Sequence, residues 1–228
     1  MQDDVTNEEA IAVSRTLLLR SLPQPNPSEL ITPSGLERLA QAGIEHYAEM
    51  VKDRGVGYAR GGRMALADPV LMDPVLTALG LMPEQGLALT LVHTSFGQTT
   101  VLTTEGDEIF IDPIVGEVTI FEGEREDSLW FEVNLASLID GRADEAKDAL
   151  PSDTGGDLHI EAARQHGEPR AGQCFKLPIN HDAPQRFSNM ATEITDLVPY
   201  LLQIKAERGY EIIRIDPSSL PAFEEDEY

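Results

Sequence analysis

Basic residues are scarce in this chain beside the acidic ones. Seventeen Lys and Arg stand against 40 Asp and Glu, a formal net charge of −23 over 228 residues. Such an imbalance repels nucleic acid and anionic membrane surfaces and attracts basic proteins, over a range of about 10 Å at moderate salt. Cysteine is nearly missing as well. The lone Cys174 excludes an internal disulfide framework and a cysteine-rich zinc site. No stretch approaches the roughly 18 uninterrupted apolar residues of a membrane span. The opening MQDDVTNEEA is acidic, where a secretory leader is basic and then apolar. These absences predict a cytoplasmic protein that binds neither nucleic acid nor membrane directly.

What is present can build a core. Hydrophobic residues make up 41% of the chain, enough for one large domain or two small ones. Thr6 and Glu9 form a capping box ahead of Ile11, Val13, Leu17, Leu18 and Leu22, which predicts a helix over 6–21. PQPNPSEL then reads as a linker. Leu36, Leu39, Ile44, Tyr47 and Val51 predict one helix from Pro33 to about Arg54, stopped by RGVGYARGG, and a short helix follows between Pro69 and Gly80. The next stretch is rich in Val, Ile, Thr and Phe and cut by turn residues. It predicts an antiparallel meander with strands at about 87–93, 98–103, 107–111 and 117–121. After Arg125 helices return, in LWFEVNLASLIDG, ADEAKDAL and 157–166. A strand follows at 172–179, then a helix at 188–206 that Pro199 bends or divides. The tail FEEDEY is expected to be disordered.

The predicted fold is α+β, a β-meander packed with helices and followed by a smaller helical or mixed domain. The expected divisions are 1–32 (helix and linker), 33–127, 128–210 and an acidic tail at 211–228.

Several patterns invite a chemical reading. Gly55, Gly57, Gly61 and Gly62, with Arg54, Arg60 and Arg63 nearby, suggest an anion loop, but no Gly-Lys-Ser/Thr closes it. A helix stop turning into a strand explains the same residues. The histidines at 46, 93, 159, 166 and 181 show no zinc or di-iron spacing. Ser95 has no Gly-x-Ser-x-Gly elbow, and Cys174 reads as a buried thiol on a strand. No catalytic residue, metal or cofactor is assigned. Carboxylates crowd the meander turns and its exit: Glu105, Asp107, Glu108, Asp112, Glu117, Glu122, Glu124, Glu126 and Asp127. They read either as solvated turn residues on a sheet with one wet face or as a docking surface for a basic protein.

The order of motifs also resembles a known bacterial pattern. IEHYAEMV leads into GVGYARGG, then RMALADP, a short helix, HTSFGQTTVL and the hairpin IFIDPIVGEVTIF. This looks like the GAD-related N-terminal domain of immunity proteins that protect bacteria from type VI secretion DNase toxins. EAARQHGEPRAGQCFKLPI followed by ITDLVPYLLQI is similar to that family's C-terminal domain. The likeness covers roughly residues 36–206 and rests on structural punctuation. It implies a non-enzymatic, cytoplasmic toxin inhibitor.

On that reading the toxin-binding residues are Glu105, Asp107, Glu108, Glu122, Glu124, Glu126 and Asp127. Trp130 and Phe131 are the candidate anchors, although plain core is the commoner role for such a pair. The partner would be a basic, nuclease-type toxin. Two other readings stand beside it: a metal-assisted hydrolase using scattered carboxylates with His93 or His159, and a scaffold or regulator of a phage-derived locus.

Overall fold

The computed structural model describes Thr16 and residues 30–59, 62–123, 157–177 and 193–216. The predicted helix at 6–21 and those in 128–150 lie outside the described residues, apart from Thr16. The architecture is α+β. Strands β1 (Gly57–Ala59), β2 (Met64–Leu66), β3 (Ala88–Thr94), β4 (Thr99–Thr103), β5 (Glu108–Asp112) and β6 (Glu117–Phe121) run in sequence order as an antiparallel meander. The four strands expected between 87 and 121 are all present, each within a residue or so of its predicted ends. A seventh strand, β9 (Glu211–Ile215), closes the order by pairing parallel to β6.

Alternation along these strands sends neighbouring side chains to opposite faces, and helices cover both. On one face Leu66, Leu89, Leu91, Val92 and Leu102 meet α1 (Pro33–Gln41) and α2 (Glu45–Arg54) through Leu39, Ile44, Tyr47 and Val51. On the other, Val101, Ile109, Ile111, Val118 and Ile120 pack under α3 (Asp73–Leu79) and α5 (Leu197–Glu207), against Val75, Leu76, Leu197, Leu201 and Ile204. A bulge in β3 between Thr90 and Val92 breaks the alternation, and adjacent Leu91 and Val92 therefore enter the same cluster. Arg38 ties the layers together. Its guanidinium forks onto Asp73 at 3.3 and 2.8 Å and donates to the Ala88 carbonyl at 2.7 Å, joining α1, α3 and β3.

A second, two-stranded sheet pairs β7 (Gln173–Lys176) with β8 (Glu193–Asp196), beside α4 (Leu158–His166). Its small core is Phe96, Leu158, Ala162, Phe175 and Leu177. Backbone bonds fasten it to the meander: Phe175 N–H donates to the Ser95 carbonyl and Ser95 N–H to the Arg63 carbonyl, both at 2.7 Å.

Four expectations need correction. The single helix over 33–54 is two, because Gly43 adopts φ +74°, a left-handed conformation that ends α1. Residues 57–59, read as a turn, form β1. The helix predicted from 188 begins at Leu197, since Glu193–Asp196 is strand β8; Pro199 then falls in the first turn, where its missing N–H has no partner to lose. Residues 211–215, read as the start of an acidic tail, are β9. Moreover, one core cluster joins Met72–Ile120 to Cys174 and Leu197–Ile204, across the boundary drawn at residue 127.

Candidate functional site

The β4–β5 hairpin carries the first predicted carboxylates. Gly106 N–H donates to the Thr103 carbonyl at 3.2 Å and Thr103 N–H to the Asp107 carbonyl at 2.9 Å. The Thr103 hydroxyl accepts from Asp107 N–H at 3.0 Å, which fixes the turn. Glu105 is exposed at its tip. Asp107 reaches across to the exit of β6, where its carboxylate accepts from Gly123 N–H at 3.2 Å. Gly123 is needed at this approach, because a Cβ there would lie 2.6 Å from the Gly106 carbonyl oxygen. Exposed Glu122 pairs with Arg214 at 3.3 Å, and its N–H donates to the Ile215 carbonyl. Glu108 starts β5 opposite Phe121. The fold therefore gathers Glu105, Asp107, Glu108 and Glu122 at one end of the large sheet.

Apolar surface lies beside them. Phe121 is 37% exposed and neighbours Glu108 on β5 and Ile215 on β9 in one row across the sheet. Ile212, on β9, is 44% exposed but pairs with Val118, beside Glu117 and toward the other end of the strands. Neither stands out in the sequence: Phe121 simply ends an expected strand, and residues 211–215 read as the start of a tail. Asp112 does not join this end. Its carboxylate accepts from Ile114 N–H and the Gln98 amide, both at 2.8 Å, and holds the β5–β6 turn. Glu117 lies at that same far end, opposite Asp112. Glu124, Glu126, Asp127, Trp130 and Phe131 lie outside the described residues.

The nucleophile and histidine candidates occupy the junction between the two sheets. Ser95 and His159 are 2% and 5% exposed, and the Ser95 hydroxyl lies 3.0 Å from His159 Nδ1. Asp157 does not orient that ring. Its carboxylate caps α4, accepting from the backbone N–H of His159 and Ile160, and pairs with Arg63. Burial raises the Asp157 carboxyl, but the Arg63 guanidinium and the two cap N–H groups outweigh it and hold the pKa below the usual value. The Cys174 thiol is buried and pushed up to about 12, chiefly by desolvation and then by the Asp196 charge, so it stays protonated and unreactive. Among the described residues no group of three His, Cys, Asp or Glu could hold a metal ion. The Gly55–Gly62 loop is partly outside the described residues; Gly57 belongs to β1.

His93 gives a pH prediction. Its Nδ1 lies 3.1 Å from the Thr94 carbonyl, which can only accept, so Nδ1 carries the proton. Nε2 is then a bare acceptor, buried and without a partner among the described residues, with Tyr58 edge-on at 5.5 Å. Desolvation drives the ring pKa down to about 4, against a smaller opposing effect of the Thr94 bond. Between the unfolded value near 6.5 and this folded value, the unfolded chain binds the extra proton. Stability therefore falls as pH drops through that window and levels off below it, by on the order of 3 kcal/mol. Urea unfolding at pH 7 and pH 4.5 should show this loss, and His93→Gln should remove most of the difference. An unchanged slope in the variant would mean other groups drive it.

No described helix is long and apolar enough to cross a membrane. No family model and no curated protein matches the sequence. Among solved structures, the crystal structure of Atu4351 from Agrobacterium tumefaciens is similar, with a TM-score of 0.67 over 89% of this chain and 93% of that one. At 17% identity the likeness is one of fold, and it agrees with the α+β architecture.

Proposed function

We propose that this protein is a non-enzymatic inhibitor that acts in the cytoplasm, an immunity protein that binds and neutralises a basic, nuclease-type toxin. The observation that carries this reading is the acidic sheet end: Glu105, Asp107, Glu108 and Glu122 share one rim with the exposed ring of Phe121. A toxin that grips nucleic acid presents a cationic cleft. A carboxylate rim can steer into such a cleft quickly, while a desolvated aromatic supplies anchoring energy. The motif resemblance over residues 36–206 supports the same reading.

The test is association of the full chain with the toxin-like product of the neighbouring gene. A stable complex is expected at low salt, weakening steeply as salt is raised. Failure of the purified pair to associate at low salt would sink the proposal.

A further inference from the structure

β9 is the last strand of the sheet among the described residues, so one of its edges meets no other described strand. Its phase follows from its ends. Glu211 N–H donates to the Gly116 carbonyl at 2.9 Å, and the Ile215 carbonyl accepts from Glu122 N–H at 3.0 Å. In a parallel ladder alternate residues bond the same neighbour. Glu211, Ile213 and Ile215 therefore face β6, and the backbone groups of Ile212 and Arg214 point to the edge that meets no other described strand.

Sheet edges are ordinarily guarded by lysine, proline, a bulge or an inward charge. β9 reads EIIRI in unbroken register and has none of the first three. Its sole cation, Arg214, is paired with Glu122. The surroundings are acidic: Glu117 and Glu211 face each other at one end, Glu122 stands at the other, and exposed Glu207 ends the preceding helix. The nearby Arg208 is turned inward, donating to the Pro113 carbonyl at 2.5 Å.

We propose that β9 is a strand-addition site for an extended, basic segment of the partner protein. The segment would hydrogen-bond to the Ile212 and Arg214 backbone, with cationic side chains near Glu117, Glu211 and Glu122. Main-chain bonds would give affinity and the acidic flanks would select for charge. This rests on the toxin-inhibitor reading for the identity of the partner. A second copy of the chain fits poorly. Each copy carries −23, so two such acidic edges repel each other.

The probe is a blocked synthetic peptide of about nine residues alternating lysine and valine, a length suited to strand addition. It is added at low salt to the isotope-labelled full chain, and amide hydrogen exchange is read by NMR. Exchange at Ile212 and Arg214 should slow about tenfold. The same peptide N-methylated along its bonding edge should have no effect, and neither should a glutamate–valine peptide. Ile212→Pro removes an outward N–H without touching the β6 ladder and should abolish the protection at Arg214. The N-methylated control does not depend on that variant folding.

Unchanged exchange at both amides would overturn the site. So would equal slowing by either control peptide, or slowing that rises with protein concentration alone, which would mark a second copy. Toxin association unaffected by Ile212→Pro would sink the strand site and leave the inhibitor reading standing. Peptide protection without toxin association would do the reverse.

Discussion

Phe175→Ala is expected to lower the unfolding free energy by about 3–5 kcal/mol. Phe175 is 0% exposed and sits where the two sheets meet. Its ring lies 5.7 Å from Phe96 and 5.9 Å from His159, within a cluster shared with Leu158, Ala162 and Leu177. Its N–H is bonded to the Ser95 carbonyl, so the backbone beneath the ring is held and cannot collapse freely into the space left. A cavity with fixed walls costs more than the lost transfer energy alone. The comparison is Phe121→Ala. It removes the same atoms from a position 37% exposed at the sheet end, and should cost about 1 kcal/mol or less. Urea unfolding of both variants measures the difference. Equal losses would show that the small core does not join the two sheets as described.

Reversing Glu105, Asp107 and Glu122 together to lysine is expected to slow association with the toxin-like partner by roughly 10- to 1,000-fold at low salt. Three reversals move the net charge by six units, from −23 to −17. The same six units can be moved elsewhere, with Glu224→Lys, Glu225→Lys and Asp226→Lys in the terminal FEEDEY. If only the overall charge mattered, both triple variants would slow binding alike. If the sheet end is the docking surface, the rim variant should lose far more, and the gap should close near 1 M salt, where screening acts within about 3 Å. The rim variant also gives up the exposed Glu122–Arg214 pair and the Asp107–Gly123 bond, each worth about 1 kcal/mol or less. A thermal melt should therefore find it folded. Stopped-flow association reads the rates, and equal slowing by both variants would refute a local patch.

Legibility differed sharply between parts of the chain. The meander was plain because its signals are local. Strand residues alternate, and Gly106 and Gly116 take positive φ in turns between strands rich in Val, Ile and Thr. The cap of α4 was equally local, since Asp157 accepts from His159 and Ile160 two and three residues on. Gly43 was a missed local signal: a glycine inside an amphipathic pattern can be tolerated or can stop a helix, and here it stops one. β8 and β9 were invisible for another reason. Four or five residues such as EITD or EIIRI have no period of their own, and they become strands when β7 and β6 offer them a ladder.

By itself the sequence determined the charge, the lone thiol, the α+β alternation and the carboxylates on turns. Each depends on composition or on residues a few positions apart. Tertiary structure alone decided which carboxylates share a surface. Glu105, Asp107 and Glu108 are brought to Glu122 by strand pairing, whereas Asp112 and Glu117 are sent to the other end of the same strands. It also placed Ser95 against His159, 64 residues apart, in the buried joint between the sheets. And it laid Glu211–Ile215 along β6, beside residues some 94 positions earlier. Long-range pairing is fixed by burial of a common core. One core cluster joins residues 72–120 to residues 174–204, so no local window contains it.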